Sequence, residues 1–271
     1  MYKFFFKLLV IAALFTSCNN NKKEKQPDSD PNAENVQMPA EDLEAINPED
    51  KGASIDLTEN KNSLKGHEQT IASFPNLKYV SPKGYENVFV FYDSEHTQVI
   101  NEKENKSEGE PVILMLKTKL DNKEKDIYTV TFSPGMSDDP LFTIKKGDKE
   151  INSFTALELI LPGNGSVYTT GHTNNMFDER RKFQLKDGKI KESKQSYLYV
   201  GLHTKTVESF QIYSDLNYSK PIATLPKDTE IEVLVNQGRN YLIRTPFGIT
   251  GWWKYNGDHK TPIKGLSYAG D

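Results

Sequence analysis

Five short runs of alternating, β-prone residues crowd into one stretch near the C-terminus: 209–213, 222–225, 230–235, 241–245 and 249–253. A period of two over four to six residues, with turn formers between the runs, demands a small β module. Asn236-Gln237-Gly238 and Pro246-Phe247-Gly248 each supply a Gly where a tight hairpin needs positive φ. With the turns fixed in this way, the register of the strands is fixed as well, because a slip by one residue would turn every apolar side chain outward.

The string Ala223-Thr224-Leu225-Pro226-Lys227-Asp228-Thr229 runs into the apolar alternation of 230–234, and is followed by Tyr-Leu-Ile-Arg-Thr-Pro-Phe-Gly at 241–248 and by Thr250-Gly251-Trp252-Trp253. Together these elements resemble a bacterial SH3-like (SH3b) domain. Asp228 stands where that family usually has Gly, and Asn240 stands near an expected aromatic. The resemblance implies a small barrel over 205–257 that serves as a non-catalytic adaptor or binds cell-wall peptides. It also sorts the aromatics. Alternation puts Ile249, Gly251 and Trp253 on one face of the last run, with Thr250 and Trp252 on the other. On the family's pattern Tyr241, Ile243 and Trp253 fill the barrel, while Trp252, Tyr213, Tyr218 and Phe247 are available to a ligand-binding surface groove. Packing against a neighbouring domain is the alternative use of the same rings.

At the other end of the chain, Lys3 and Lys7 stand at the start of an apolar stretch of Phe, Leu, Val, Ile and Ala that closes with Leu14-Phe15-Thr16-Ser17-Cys18. The run is too short for a spanning helix of about 20 residues and reads as a signal peptide over 1–17. Its end resembles the lipobox of bacterial lipoproteins, which implies that Cys18 is lipidated and attaches the protein to a membrane of the bacterial cell envelope, periplasmic or surface-exposed. Cys18 is the only cysteine, so no disulfide forms within the chain and core packing alone must stabilise an exported fold.

From 18 to 70 the composition turns to Asn, Lys, Glu, Asp, Pro and Ser. Such a segment buries too little apolar surface to offset the roughly 1–2 kcal/mol per residue lost on ordering its backbone, and is expected to be a disordered tether. Residues 71–204 are strand-rich, with runs at 88–92, 112–118, 127–132, 141–144, 153–161, 166–170, 182–185 and 196–202, and no long helical period. Asp187-Gly188 and Pro162-Gly163-Asn164-Gly165 mark reversals. The expected architecture is all-β: a central antiparallel sandwich or barrel, then the small SH3-like barrel, then a tail over 258–271.

The chain has 34 basic and 38 acidic side chains, a formal charge of −4, and the leader removes only Lys3 and Lys7. This acidic balance argues against nucleic acid as a partner. No G-x-S-x-G elbow, S-x-x-K, H-E-x-x-H or phosphate-cradling G-x-x-x-x-G-K is present. The mixed-charge run 121–126 lacks the Gly and distal Glu of a calcium loop and reads as a charged hairpin tip. No cofactor and no metal is implied.

The densest polar cluster is 169–181, where His172, Asp178 and Arg180 form a possible polar site: imidazole can act as base or ligand, and guanidinium can clamp a carboxylate. A loop tied by Asx turns and surface ion pairs has the same composition. His203 reads as a junction residue, since no carboxylate lies near it in sequence. The expectation is a lipid-anchored envelope protein, more a non-catalytic binding or scaffold module than an enzyme, with a peptidoglycan peptide or an envelope protein as partner. The alternatives are a cell-wall hydrolase whose central domain is catalytic, and a protein-partner inhibitor or assembly factor.

Overall fold

A computed structural model of the chain describes residues 66–103, 111–135, 139–258 and 260–270. Cys18, the leader and nearly all of the tether lie outside the described residues, as does His259.

The described chain opens with the short helix α1 (Glu68–Ser73), then β1 (Lys78–Val80) and β2 (Phe89–Tyr92). An antiparallel meander follows, made of β3 (Thr97–Lys103), β4 (Ile113–Thr118), β5 (Tyr128–Ser133), β6 (Leu141–Lys146) and β7 (Lys149–Thr155). The strands β8 (Glu158–Leu161), β9 (Ser166–Gly171), β10 (Glu179–Lys186) and β11 (Lys189–Glu192) then return to the first sheet, whose order is β1-β2-β8-β9-β10-β11. The expectation of an antiparallel sandwich holds with one exception. β2 and β8 pair in parallel, Phe89 opposite Glu158 and Phe91 opposite Ile160, because the whole five-stranded meander is the connection between them and parallel neighbours need a long crossover.

Period-two alternation assigns the faces. Val90, Leu159, Leu161 and Val167 point from the first sheet into a shared core with Met115, Val130, Phe132, Phe142 and Ile144 of the second. Phe89, Phe91 and Ile160, one residue out of phase, point the other way and are covered by Ile71, Phe74, Leu77 and Tyr79. That second apolar layer explains α1. A helix of six residues is too short to be stable alone, and it exists here because it caps an apolar outer face.

The single strand expected over 153–161 is two strands in different sheets. Phe154 and Ala156 face the shared core, then the phase slips and Leu159 and Leu161 take that role. The Ala156 N–H bonds Pro140 O, whereas the Leu157 N–H bonds Thr170 O, so the chain leaves one sheet for the other between these residues. The turn at Asp187-Gly188 forms as expected, with φ of 52° and 66°. The 121–126 segment is a turn, fastened by Asn122 N–H to Gly163 O and by Gly165 N–H to Leu120 O.

The C-terminal unit contains β12 (Leu198–Lys205), β13 (Phe210–Tyr213), β14 (Pro221–Leu225), β15 (Glu230–Gln237), β16 (Asn240–Arg244) and β17 (Thr250–Lys254), in the order β12-β15-β16-β17-β13-β14. All five expected runs are strands. They do not close into a barrel, however, because β12 occupies the free side of β15 and β14 is left as the opposite edge. β12 straddles the boundary expected at 204/205: His203 pairs with Glu232, Thr204 with Ile231 and Lys205 with Glu230. Thr206, at its end, is fully buried, its hydroxyl donating to Pro226 O and accepting from the Thr229 N–H. The tail is fastened too, through Val207 N–H to Pro262 O and Lys264 N–H to Lys205 O.

Candidate functional site

Tyr241, Ile243 and Trp253 are buried in the C-terminal core with Ile212, Leu225, Ile231 and Val233, as their alternation requires. Their sheet neighbours therefore face outward. Following the register across five strands, Tyr199 stands opposite Val235, Val235 opposite Leu242, Leu242 opposite Trp252, and Trp252 opposite Tyr213. Directly opposed residues share a face and touch. The outer surface of this sheet thus carries an unbroken apolar row.

Two further rings pack on the row, one at Trp252 and one at its Tyr213 end. Tyr197, half exposed, stacks on Trp252 with centroids 6.5 Å apart. Tyr218 meets Tyr213 edge-on at 5.3 Å, Lys254 Nζ stands 5.9 Å over the Tyr218 ring, and the Tyr218 hydroxyl donates to Asn240 Oδ1 at 2.6 Å. Burial pushes the Tyr218 phenol up, which keeps it a donor. Asn240, where the SH3-like pattern leads one to expect an aromatic, instead anchors this tyrosine. The bulge between Tyr199 and Leu202 matters as well: Gly201, at φ 63°, lets the Tyr199 ring lie where a Cβ would sit.

Of the four residues expected to form the groove, the fold brings Trp252, Tyr213 and Tyr218 together. Phe247 stands apart at the β16–β17 turn, 91% exposed and without a ring contact among the described residues. The sequence reading missed Tyr197, Tyr199, Val235 and Leu242. The first two lie in the segment assigned to the central domain, and the signal for the others was their position across the strands from Trp252.

The polar cluster of 169–181 resolves differently. Asp178 accepts from the Thr170 hydroxyl at 3.1 Å and from Arg180 Nη2 at 3.0 Å. His172 donates from Nε2 to Ser267 O in the tail at 2.8 Å, and so is tied to a strap rather than to Asp178. Between His172 and Asp178 the same loop sends Phe177 into the C-terminal core. His172, Asp178 and Arg180 do line one cleft of about 400 Å³. Also in that cleft is a group that sequence reasoning passed over. Glu158, the first residue of β8 and only 3% exposed, accepts from the Thr70 hydroxyl at 2.5 Å and pairs with His67 Nδ1. The partners come from 88 and 91 residues away, so no local motif marks them.

Two further clusters are structural in their bonding. Asp93, Glu95 and His96 bring ligand atoms within 4.8 Å of one another, but Asp93 caps the turn, taking the Glu95 N–H, His96 Nδ1 and Asn122 Nδ2. Burial raises the Asp93 pKa, yet these donors together hold it below the ordinary carboxylate value. His203 does meet a carboxylate, Glu232 at 3.4 Å, across the β12–β15 ladder, and Glu232 also pairs with Arg244.

No family model, no curated protein and no solved structure matches this chain.

Proposed function

We propose that the protein is a lipid-anchored component of the bacterial envelope that acts without catalysis, binding a peptide on the aromatic face of its C-terminal sheet. The row Tyr199–Val235–Leu242–Trp252–Tyr213 carries this reading. Large rings held rigidly on a sheet supply contact area at little entropic cost, which is why Trp and Tyr dominate binding hot spots. The sequence supports the anchor through Lys3, Lys7 and Cys18, and two acyl chains or more make such attachment stable.

A hydrolase with a catalytic central domain finds its residue types at the 400 Å³ cleft, but His172 and Asp178 are bonded to Ser267 and to Thr170 and Arg180, not to each other. His172 and Asp178 therefore do not form the mutually oriented acid–base pair that such a reading assigns to them; the pair in that cleft that does meet is His67 with Glu158.

Tryptophan fluorescence titration with a soluble peptidoglycan stem peptide tests the binding reading. Saturable quenching that Trp252→Ala removes supports it, and a parent protein with no titratable change overturns it for this ligand. The anchor is tested by fractionation: Cys18→Ser releases the protein from membranes, and a Ser variant that still sediments after a high-salt wash shows another attachment.

A further inference from the structure

A second hollow lies on the outer face of the first sheet. Its floor is Ile160 and Tyr168, one wall is α1 with Gln69 and Phe74, and the opposite wall is the segment Ser193-Lys194-Gln195 that folds back over β10. The volume is about 460 Å³, within the roughly 300–1,000 Å³ of small-molecule sites. It runs into the cleft already described, sharing Gln69, Thr70, Thr170 and Arg180 with it.

Both walls are fixed. Thr70 and His67 hold α1 to the buried Glu158 carboxylate, and Phe74 packs on Tyr168 with centroids 5.2 Å apart. Across the groove, the Ser193 N–H bonds Lys182 O at 2.8 Å and Gln195 Nε2 donates to Arg180 O at 3.1 Å.

The charges are one-sided. Alternation along β10 sends Arg180 and Lys182 to this face, opposite Thr170 and Tyr168. Lys194 joins them from the far wall, and no Asp or Glu lines the hollow. Lys182 Nζ stands 5.6 Å over the Tyr168 ring, and neither it nor Lys194 has a carboxylate partner among the described residues. Arg180 spends one of its five donors on Asp178. Arg181, by contrast, is paired with Glu179 and Glu192. A cationic, apolar-floored hollow on a chain of net charge −4 is a local feature that the overall balance does not supply. Because the floor strands spend their backbone groups on the ladder, a ligand here is recognised by side chains alone.

We infer that this groove binds a small amphipathic anion, an apolar body carrying a carboxylate or phosphate. The body lies on Phe74, Ile160 and Tyr168, and the anion meets Lys182, Lys194 and Arg180. The source is either a soluble metabolite or an anionic lipid, which share this chemistry.

The test is calorimetric titration of the whole chain with octanoate and octyl phosphate, beside octyltrimethylammonium and inorganic phosphate. The two anionic amphiphiles bind, and the double variant Lys182→Gln/Lys194→Gln weakens them by about tenfold or more. Trp252→Ala leaves them unchanged, which separates this site from the peptide-binding face. Equal binding of the ammonium compound, or of inorganic phosphate, overturns the inference, as does a double variant that binds as the parent does. Vesicles of phosphatidylglycerol against phosphatidylcholine distinguish the sources: capture by the anionic vesicles in addition to the soluble amphiphiles assigns a lipid, the soluble compounds alone assign a metabolite, and vesicles alone overturn the groove as the site.

Discussion

Phe177, in a loop of the central sandwich, packs edge-on against Tyr241 with ring centroids 6.2 Å apart, inside the core of the C-terminal sheet. One unit thus completes the other. The tail reinforces the joint, with Asn175 bridging to Ala269 and Ile263 and Leu266 buried in the same core. A small β module built from an open sheet has little apolar surface of its own to bury, and the plug and the tail add to it.

Phe177→Ala therefore destabilises the C-terminal unit by about 3–5 kcal/mol, the usual cost of removing a core aromatic. Urea unfolding followed at the two tryptophans reads this directly. A change under about 1 kcal/mol would mean that the module closes its core without the plug.

The adjacent tryptophans separate by face. Trp253→Ala empties the core and costs about 3–5 kcal/mol, whereas Trp252→Ala, on the outer row, leaves the melting transition within about 1 kcal/mol of the parent. Equal destabilisation by both variants would make the outer row a packing surface.

Asp228 occupies a left-handed conformation at φ 65°, which Asp tolerates better than most residues but Gly tolerates best. Asp228→Ala is expected to destabilise by about 1 kcal/mol, while Asp228→Gly is neutral or stabilising. Chemical denaturation of the pair checks the sign. A loss on going to Gly would show that the Asp side chain contributes something beyond its backbone.

The Tyr241 phenol is pushed well above its ordinary value, first by burial and then by the charge of Glu179 and by Tyr255. The folded state therefore holds this proton more tightly than the unfolded chain does. Its contribution to stability is complete below about pH 10, where unfolded tyrosine is still protonated, and is lost as pH rises above that. Tyr241→Phe flattens the decline in stability between about pH 10 and 12, leaving the smaller slope due to Tyr79, Tyr92, Tyr128 and Tyr218, which burial also raises. An unchanged alkaline limb in this variant would place the effect elsewhere.

The sequence by itself determined the all-β class, the five C-terminal strands, the turns at Asp187-Gly188, Gly238 and Gly248, and the inward course of Tyr241, Ile243 and Trp253. These follow from period-two alternation and from the φ that each turn requires, both of which act over a few residues. Tertiary structure decided the rest. β12 joined the C-terminal sheet because an unpaired edge on β15 takes whatever strand the chain brings to it, and that denied the sheet its closure. Phe247 left the aromatic face because turn geometry, not alternation, sets its direction. The loop of His172 and Asp178 became a plug because its adjacent apolar residues, Met176 and Phe177, found a core to enter, and the polar side chains around them were bonded in consequence. Glu158, His67 and Thr70 meet across some 90 residues, a separation at which pairing depends on the packed sheets and leaves no spacing in the sequence to read.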